Sequence, residues 1–141
     1  MKRREDVLEY LARVPLFSAC TNKDLQHVSK YSDRVKVPAG TKMTQEGRTG
    51  TEFYVILEGK ASVVRGGAEI NTLGPGEFFG ELALLDRSPR NATVEAVTDV
   101  DALVIGQREF SAALDMVPAL AHKLLTGLAR RIHEMDTSQV N

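Results

Sequence analysis

The sequence predicts a mainly β protein with helices at both ends, and three observations carry that reading. Short β-rich runs, separated by turn signals about every eight to twelve residues, fill positions 33–105. Nine of the eleven glycines fall in the same zone, as expected for a chain that turns often. On either side, apolar residues recur at three- and four-residue spacing. Many short strands punctuated in this way argue for a sandwich or barrel.

Residues 1–32 hold the first helices. Val7, Leu8, Leu11 and Val14 mark one helical face, and Pro15 stops it. Thr21 or Asn22 is a natural cap for a second helix carrying Leu25, Val28 and Tyr31. Both are short and only modestly apolar, so they need a surface to lean on.

The β zone spans 33–106. Arg34–Val37 alternates polar and apolar before the Pro38-Ala39-Gly40 turn. Phe53–Leu57 is β-rich and ends at Glu58-Gly59, and Ala61–Val64 and Ile70–Leu73 flank Gly66-Gly67. After the Gly74-Pro75-Gly76 break, Thr93–Val97 and Ala102–Ile105 supply two further strands.

Residues 107–136 return to helix, first around Glu109, Phe110, Ala113 and Leu114. Pro118 suits the first turn of the next helix, whose Leu120, Leu124, Leu128, Ile132 and Met135 form an apolar stripe. Gly127 weakens that helix by about 1 kcal/mol relative to alanine. It marks either a tolerated weakness or a close packing or bend. Arg130, Arg131 and His133 sit near the end, where cations complement the helix dipole.

Composition narrows the functional classes. Eighteen basic and nineteen acidic residues give a net charge of −1, which offers no electrostatic case for general nucleic-acid or membrane binding. No apolar run approaches the roughly 18–20 residues of a membrane span, and no signal-peptide segment opens the chain, so a cytoplasmic location is expected. The basic MKRR start reads as a solvated helix end. Cys20 is the single cysteine, which excludes an intrachain disulfide. A buried structural thiol is the simple reading of it.

The chemistry concentrates in GEFFGELALLDRSPRNATV, residues 76–94. A carboxylate, Glu81, and a guanidinium, Arg90, sit in an apolar segment, where each is costly without a partner. Gly80–Leu85 reads as one helical turn, whose leading amides suit an anion. Gly80 allows close approach to the backbone. Arg90, following Ser88-Pro89 and preceding a strand, suits phosphate oxygens. Glu81 accepts hydrogen bonds only, as sugar hydroxyls require. Together the two describe the poles of a nucleotide, with apolar residues between them as a wall for its base. A structural Glu81–Arg90 ion pair is the plainer alternative on composition alone.

The same run resembles the phosphate-binding cassette of cyclic nucleotide-binding domains in its FGE, its ALL-type turn, its PR-x-A-T and its Glu-to-Arg spacing. Val37–Gly40 with Glu46-Gly47 looks like that family's first hairpin, and Phe53–Gly59 like the next. The resemblance covers about residues 10–135. It implies a single domain over 1–141, built as an antiparallel β-roll of the jelly-roll type (a cupin-like double-stranded β-helix) with N-terminal helices and a C-terminal helix pair.

Carried over by position, the resemblance implies that Glu81 and the Gly80 backbone contact the ribose 2′-hydroxyl. Arg90 would meet the cyclic phosphate, with the amides of Ala83, Asn91 and Ala92 assisting. Leu82 belongs to the same contact set. Val63, Asn71 and Leu73 match positions flanking the ligand inside the roll, although Val63 and Leu73 read equally well as plain core. The residue after the arginine is often threonine in domains favouring cyclic GMP and alanine in those favouring cyclic AMP. Asn91 fits neither, and the reading leans to cyclic AMP, with cyclic GMP possible.

The expected role is a stand-alone sensor without catalytic residues, cofactor or metal, which signals through its C-terminal helix to a protein partner or a second copy. Arg130, Arg131 or His133 could reach the base, although solvated helix-end cations are the simpler reading. The helix-turn-helix of the catabolite activator protein is not expected within these 141 residues. A nucleotide-free interaction or dimerisation module of the same fold is the alternative. A metal-dependent cupin enzyme would need inward histidines on strands, whereas His27, His122 and His133 all fall in helical zones.

Overall fold

The computed structural model describes residues 4–139, with side chains from 7 to 134. The MKRR start falls largely outside that range, and so does the Met135 side chain. The chain forms two compact units: Ser32–Phe110, and the flanking segments Met1–Tyr31 with Ser111–Asn141.

The first unit is an antiparallel β-roll. Its strands are β1 (Asp33–Val37), β2 (Lys42–Thr44), β3 (Glu52–Glu58), β4 (Ala61–Arg65), β5 (Ala68–Leu73), β6 (Phe78–Phe79), β7 (Thr93–Ala96) and β8 (Val100–Gly106). They make two four-stranded sheets, ordered β1-β8-β3-β6 and β2-β7-β4-β5. Among the described residues, only β4 and β5 are consecutive strands that pair, across the Gly66-Gly67 turn. The two other expected hairpins are therefore corrected. β1 pairs with β8 and β2 with β7, so the chain changes sheet at Pro38–Gly40 and again at Gly59. Local turn signals locate a corner but do not say which sheet the chain enters next.

Each sheet contributes one face to the roll interior. Tyr54, Ile56, Val100, Ala102 and Val104 come from β3 and β8, and Ala61, Leu73, Val94 and Ala96 come from β4, β5 and β7. The apolar run Phe53–Leu57 is buried throughout, which explains why it does not alternate: a strand covered on both faces needs no polar side. Phe53 meets Phe78 edge-on at 6.2 Å, and Tyr54 stacks on Phe79 at 4.8 Å, fixing the short β6 against β3.

The second unit is helical. It contains α1 (Arg4–Ala12), a 3-10 turn (Pro15–Phe17), α2 (Asn22–Lys30) and α4 (Pro118–Gln139), while α3 (Gln107–Met116) crosses the boundary between the units. Thr21 caps α2 in a reciprocal box. Its hydroxyl accepts from the Asp24 amide at 3.2 Å, and the Asp24 carboxylate accepts from the Thr21 amide at 2.8 Å. The same carboxylate receives Lys123 of α4 at 2.5 Å.

Gly127 resolves as close packing. A Cβ there would collide with the Leu16 carbonyl, so α4 lies directly on the backbone of the 3-10 turn. Three residues on, Arg130 donates to the Ser18 carbonyl at 3.2 Å. The expected apolar stripe splits: Leu120 and Leu124 are buried, Leu128 is half-buried, and Ile132 is exposed. Four-residue spacing advances about 40° per step round a helix, so Ile132 lies about 120° from Leu120.

Candidate functional site

The segment between β6 and β7 is built as two arms. Its first arm leaves β6 through Gly80, whose φ of 81° lies in the left-handed region that disfavours other residues. A 3-10 turn, Glu81–Leu84, follows directly. Glu81, Ala83 and Leu84 are buried, while Leu82 and Leu85 are exposed at 47% and 42%. Two large apolar side chains so presented on a loop are available to cover something flat. The turn is too short for a macrodipole of consequence, so any anion affinity it has comes from its leading amides.

Arg90 supplies the charge. The returning arm is zipped to the β2–β3 connection, with the Arg90 amide donating to the Arg48 carbonyl at 2.7 Å and the Arg90 carbonyl accepting from Gly47 at 2.8 Å. Pro89 forms a bridge with Thr49. The guanidinium is half-buried and donates through Nη2 to the Glu52 carbonyl at 2.5 Å. It lies against two glycines, and a Cβ on either Gly50 or Gly80 would collide with it. Both glycines are thus seats for the arginine: Gly50 is more than a turn glycine, and the close approach expected at Gly80 is made by Arg90.

Arg90 therefore rests on a neutral oxygen. Among the contacts of the described residues, none joins its guanidinium to the Glu81 carboxylate. Burial pushes the guanidinium below its ordinary pKa, only partly opposed by Tyr54 and Glu52 nearby. Burial also lifts the Tyr54 phenol to about 12, reinforced by Glu52, to whose carboxylate the Tyr54 hydroxyl donates at 3.3 Å. A half-buried guanidinium whose hydrogen-bond acceptor is a neutral carbonyl keeps donors and charge for an incoming anion. A cleft of about 200 Å³, lined by residues 42–45, 48–52 and Arg90, opens beside it.

The remaining expected residues fall in two places. Asn91 and Ala92 follow Arg90, the first exposed and the second buried. Val63 stands opposite Asn71 on β5 and opposite Val94 on β7, while Leu73 lies opposite Ala61 within the roll core. The Ala83 amide is engaged, donating to the Gly80 carbonyl at 3.0 Å. Thr44 pins the start of β7, its hydroxyl donating to the Ala92 carbonyl at 3.3 Å and accepting from the Val94 amide at 3.2 Å. Glu52, Gly50 and Thr44 escaped the sequence reading. Glu52 acts through its backbone carbonyl, which no side-chain pattern reveals.

This arrangement can be set beside known proteins. The family model described as "Cyclic nucleotide-binding domain" matches residues 34–116. The chain belongs to the cyclic nucleotide-binding domain family. Members among curated proteins include the cyclic AMP receptor protein of Thermus thermophilus, 35% identical over 127 residues, covering 86% of this chain and 59% of the relative. The cAMP-dependent protein kinase regulatory subunit of Hypocrea atroviridis is 32% identical over 135 residues, covering 95% of this chain and 29% of the relative. The chain thus spans only part of the length of these relatives. Among solved structures, the N-terminal domain of a transcriptional regulator from Streptomyces coelicolor A3(2) superposes with a TM-score of 0.83 at 33% identity, covering 91% of this chain and 95% of that one. The β-roll with flanking helices is the fold of this family. Among the described residues, no helix is long and apolar enough to cross a membrane.

Proposed function

We propose that this domain binds a 3′,5′-cyclic nucleotide, cyclic AMP in preference to cyclic GMP, and regulates a partner rather than catalysing a reaction. The observation that carries the reading is Arg90: a half-buried cation fixed by two glycines and a carbonyl, with its charge left for an anion. The cyclic phosphate fills that role. Glu81, buried at the first position of the 3-10 turn beyond Gly80, takes the ribose 2′-hydroxyl. Val63, Asn71 and Leu73 flank the nucleotide from the sheet, and exposed Leu82 supplies an apolar surface for it. The preference for cyclic AMP is supported by the names of the curated relatives, a cyclic AMP receptor and a cAMP-dependent kinase subunit.

Transmission runs through α4 to a protein partner or a second copy of the chain. Leu125 and Ile132 are exposed at 65% and 59%, one heptad apart, and Leu128 is half-buried between them. That spacing suits a helix-pairing seam. Isothermal titration with cyclic AMP and cyclic GMP tests the reading: saturable binding, tighter for cyclic AMP, is expected. No binding of either at millimolar concentration would overturn it. Light scattering with and without nucleotide then separates a ligand-controlled assembly from a constitutive dimer.

A further inference from the structure

Arg65 closes β4, is exposed, and looks like an ordinary solvated side chain beside the Gly66-Gly67 turn. Its Nε nevertheless donates to the Asn91 carbonyl at 2.8 Å, across twenty-six residues of chain. The turn from which it reaches is itself anchored. The Gly66 amide donates to the Glu46 carboxylate at 3.0 Å, and the Glu46 amide donates to the Thr93 hydroxyl at 2.9 Å. Arg65 therefore acts from a fixed base on the segment directly after Arg90.

Peptide geometry converts that contact into a directional effect. A trans peptide is planar, so its N–H points opposite to its C=O. The Arg90 carbonyl is held by the Gly47 amide, which turns the Asn91 N–H away from the β2–β3 connection. The Asn91 carbonyl is held by Arg65, which turns the Ala92 N–H away from Arg65. Among the described residues, neither amide has a protein acceptor, although Ala92 is buried. A backbone N–H without a protein acceptor is left for water or a ligand, so an anion can complete the arrangement.

We propose that Arg65 is a positioning residue for anion binding: by holding the Asn91 carbonyl it aims the Ala92 N–H at the phosphate that Arg90 receives. The inference rests on the cyclic-nucleotide reading given above. Its action is geometric. A lysine at this position keeps the charge but cannot present a planar Nε–H at the same reach.

The test is titration of cyclic AMP into wild type, Arg65→Ala and Arg65→Lys, with amide chemical shifts of Asn91 and Ala92 followed by ¹⁵N–¹H correlation spectra. Thermal unfolding of each variant confirms that it is folded. Wild type should bind with a downfield movement of the Ala92 amide. Both variants should bind about fivefold more weakly, with that movement diminished. If Arg65→Lys binds like wild type while Arg65→Ala is weakened, Arg65 contributes charge alone and the positioning role is wrong. If both variants match wild type in affinity and in the Ala92 shift, Arg65 has no part in binding. If wild type binds no cyclic nucleotide at millimolar concentration, the reading of the site itself fails and this inference falls with it.

Discussion

The two units of this protein each hold a partly buried cation, and they treat it in opposite ways. In the helical unit, Lys123 meets a carboxylate, Asp24, which also closes the cap of α2. In the β-roll, Arg90 donates to a backbone carbonyl and packs on two glycines, with the Tyr54 and Glu52 side chains acting on it only from nearby. Burial raises the pKa of Asp24, but the hydrogen bonds from Lys123 and Thr21 outweigh it and leave the carboxyl below its ordinary 3.8. For Arg90, burial dominates and the guanidinium stays below its ordinary value. A cation with its counter-charge built in is a structural fastening. A cation held rigidly on neutral groups keeps its electrostatic capacity for something that arrives later. The contrast is the structural ground for the anion-binding role proposed for Arg90.

The comparison can be broken at several points. The largest expected effect on binding is from Arg90→Ala, which should weaken cyclic-nucleotide affinity at least about tenfold, the equivalent of about 1.4 kcal/mol or more, in calorimetric titration. Its stability without nucleotide should stay within about 1 kcal/mol of wild type, because no ion pair is lost. Next is Gly127→Ala. The added methyl meets the Leu16 carbonyl, so despite alanine's better helix propensity the variant should be less stable by about 1–3 kcal/mol in urea unfolding.

Asp24→Asn should lower stability by about 1–2 kcal/mol at neutral pH by removing the counter-charge of Lys123. The sign of its pH dependence follows from the lowered folded pKa. Stability from the ionised carboxylate is fully present above the ordinary 3.8 and is lost as pH falls through the lower folded value. Unfolding midpoints of wild type and Asp24→Asn should therefore differ at neutral pH and converge in acid. A gap that persists at low pH would assign the effect to packing. The smallest effect is expected at Gly50→Ala. It displaces the guanidinium from its seat and should weaken nucleotide binding several-fold while changing stability by about 1 kcal/mol.

Much of this was legible in the sequence, and what was not has identifiable causes. The strands around Val35, Phe53–Leu57, Val63 and Ala102–Ile105 were marked by β-branched and aromatic residues between turn signals, and they appear where expected. Their pairing was not, because β1 with β8 and β2 with β7 are contacts across more than forty residues that no local pattern encodes. The three-residue β2 is too short to register as a periodic segment. Glu81 and Arg90 stood out by chemistry, as charges in an apolar run, and the question of whether they pair is answered by the Glu52 carbonyl. Gly50 was read as one of many turn glycines and Gly80 as room for a ligand, since a sequence shows that a side chain is missing but not what fills its place. At Arg65 the difficulty is the reverse: an exposed cation beside a glycine turn gives no sign that its target lies twenty-six residues away.

The most direct test of the central claim is calorimetric titration of cyclic AMP into wild type and Arg90→Ala under identical conditions. Saturable one-to-one binding to wild type, with at least about tenfold loss in Arg90→Ala and no matching loss of fold stability, is the predicted result. Equal affinity in the two proteins would show that the anion does not bind at Arg90, and the contrast with Lys123 would then carry no functional meaning.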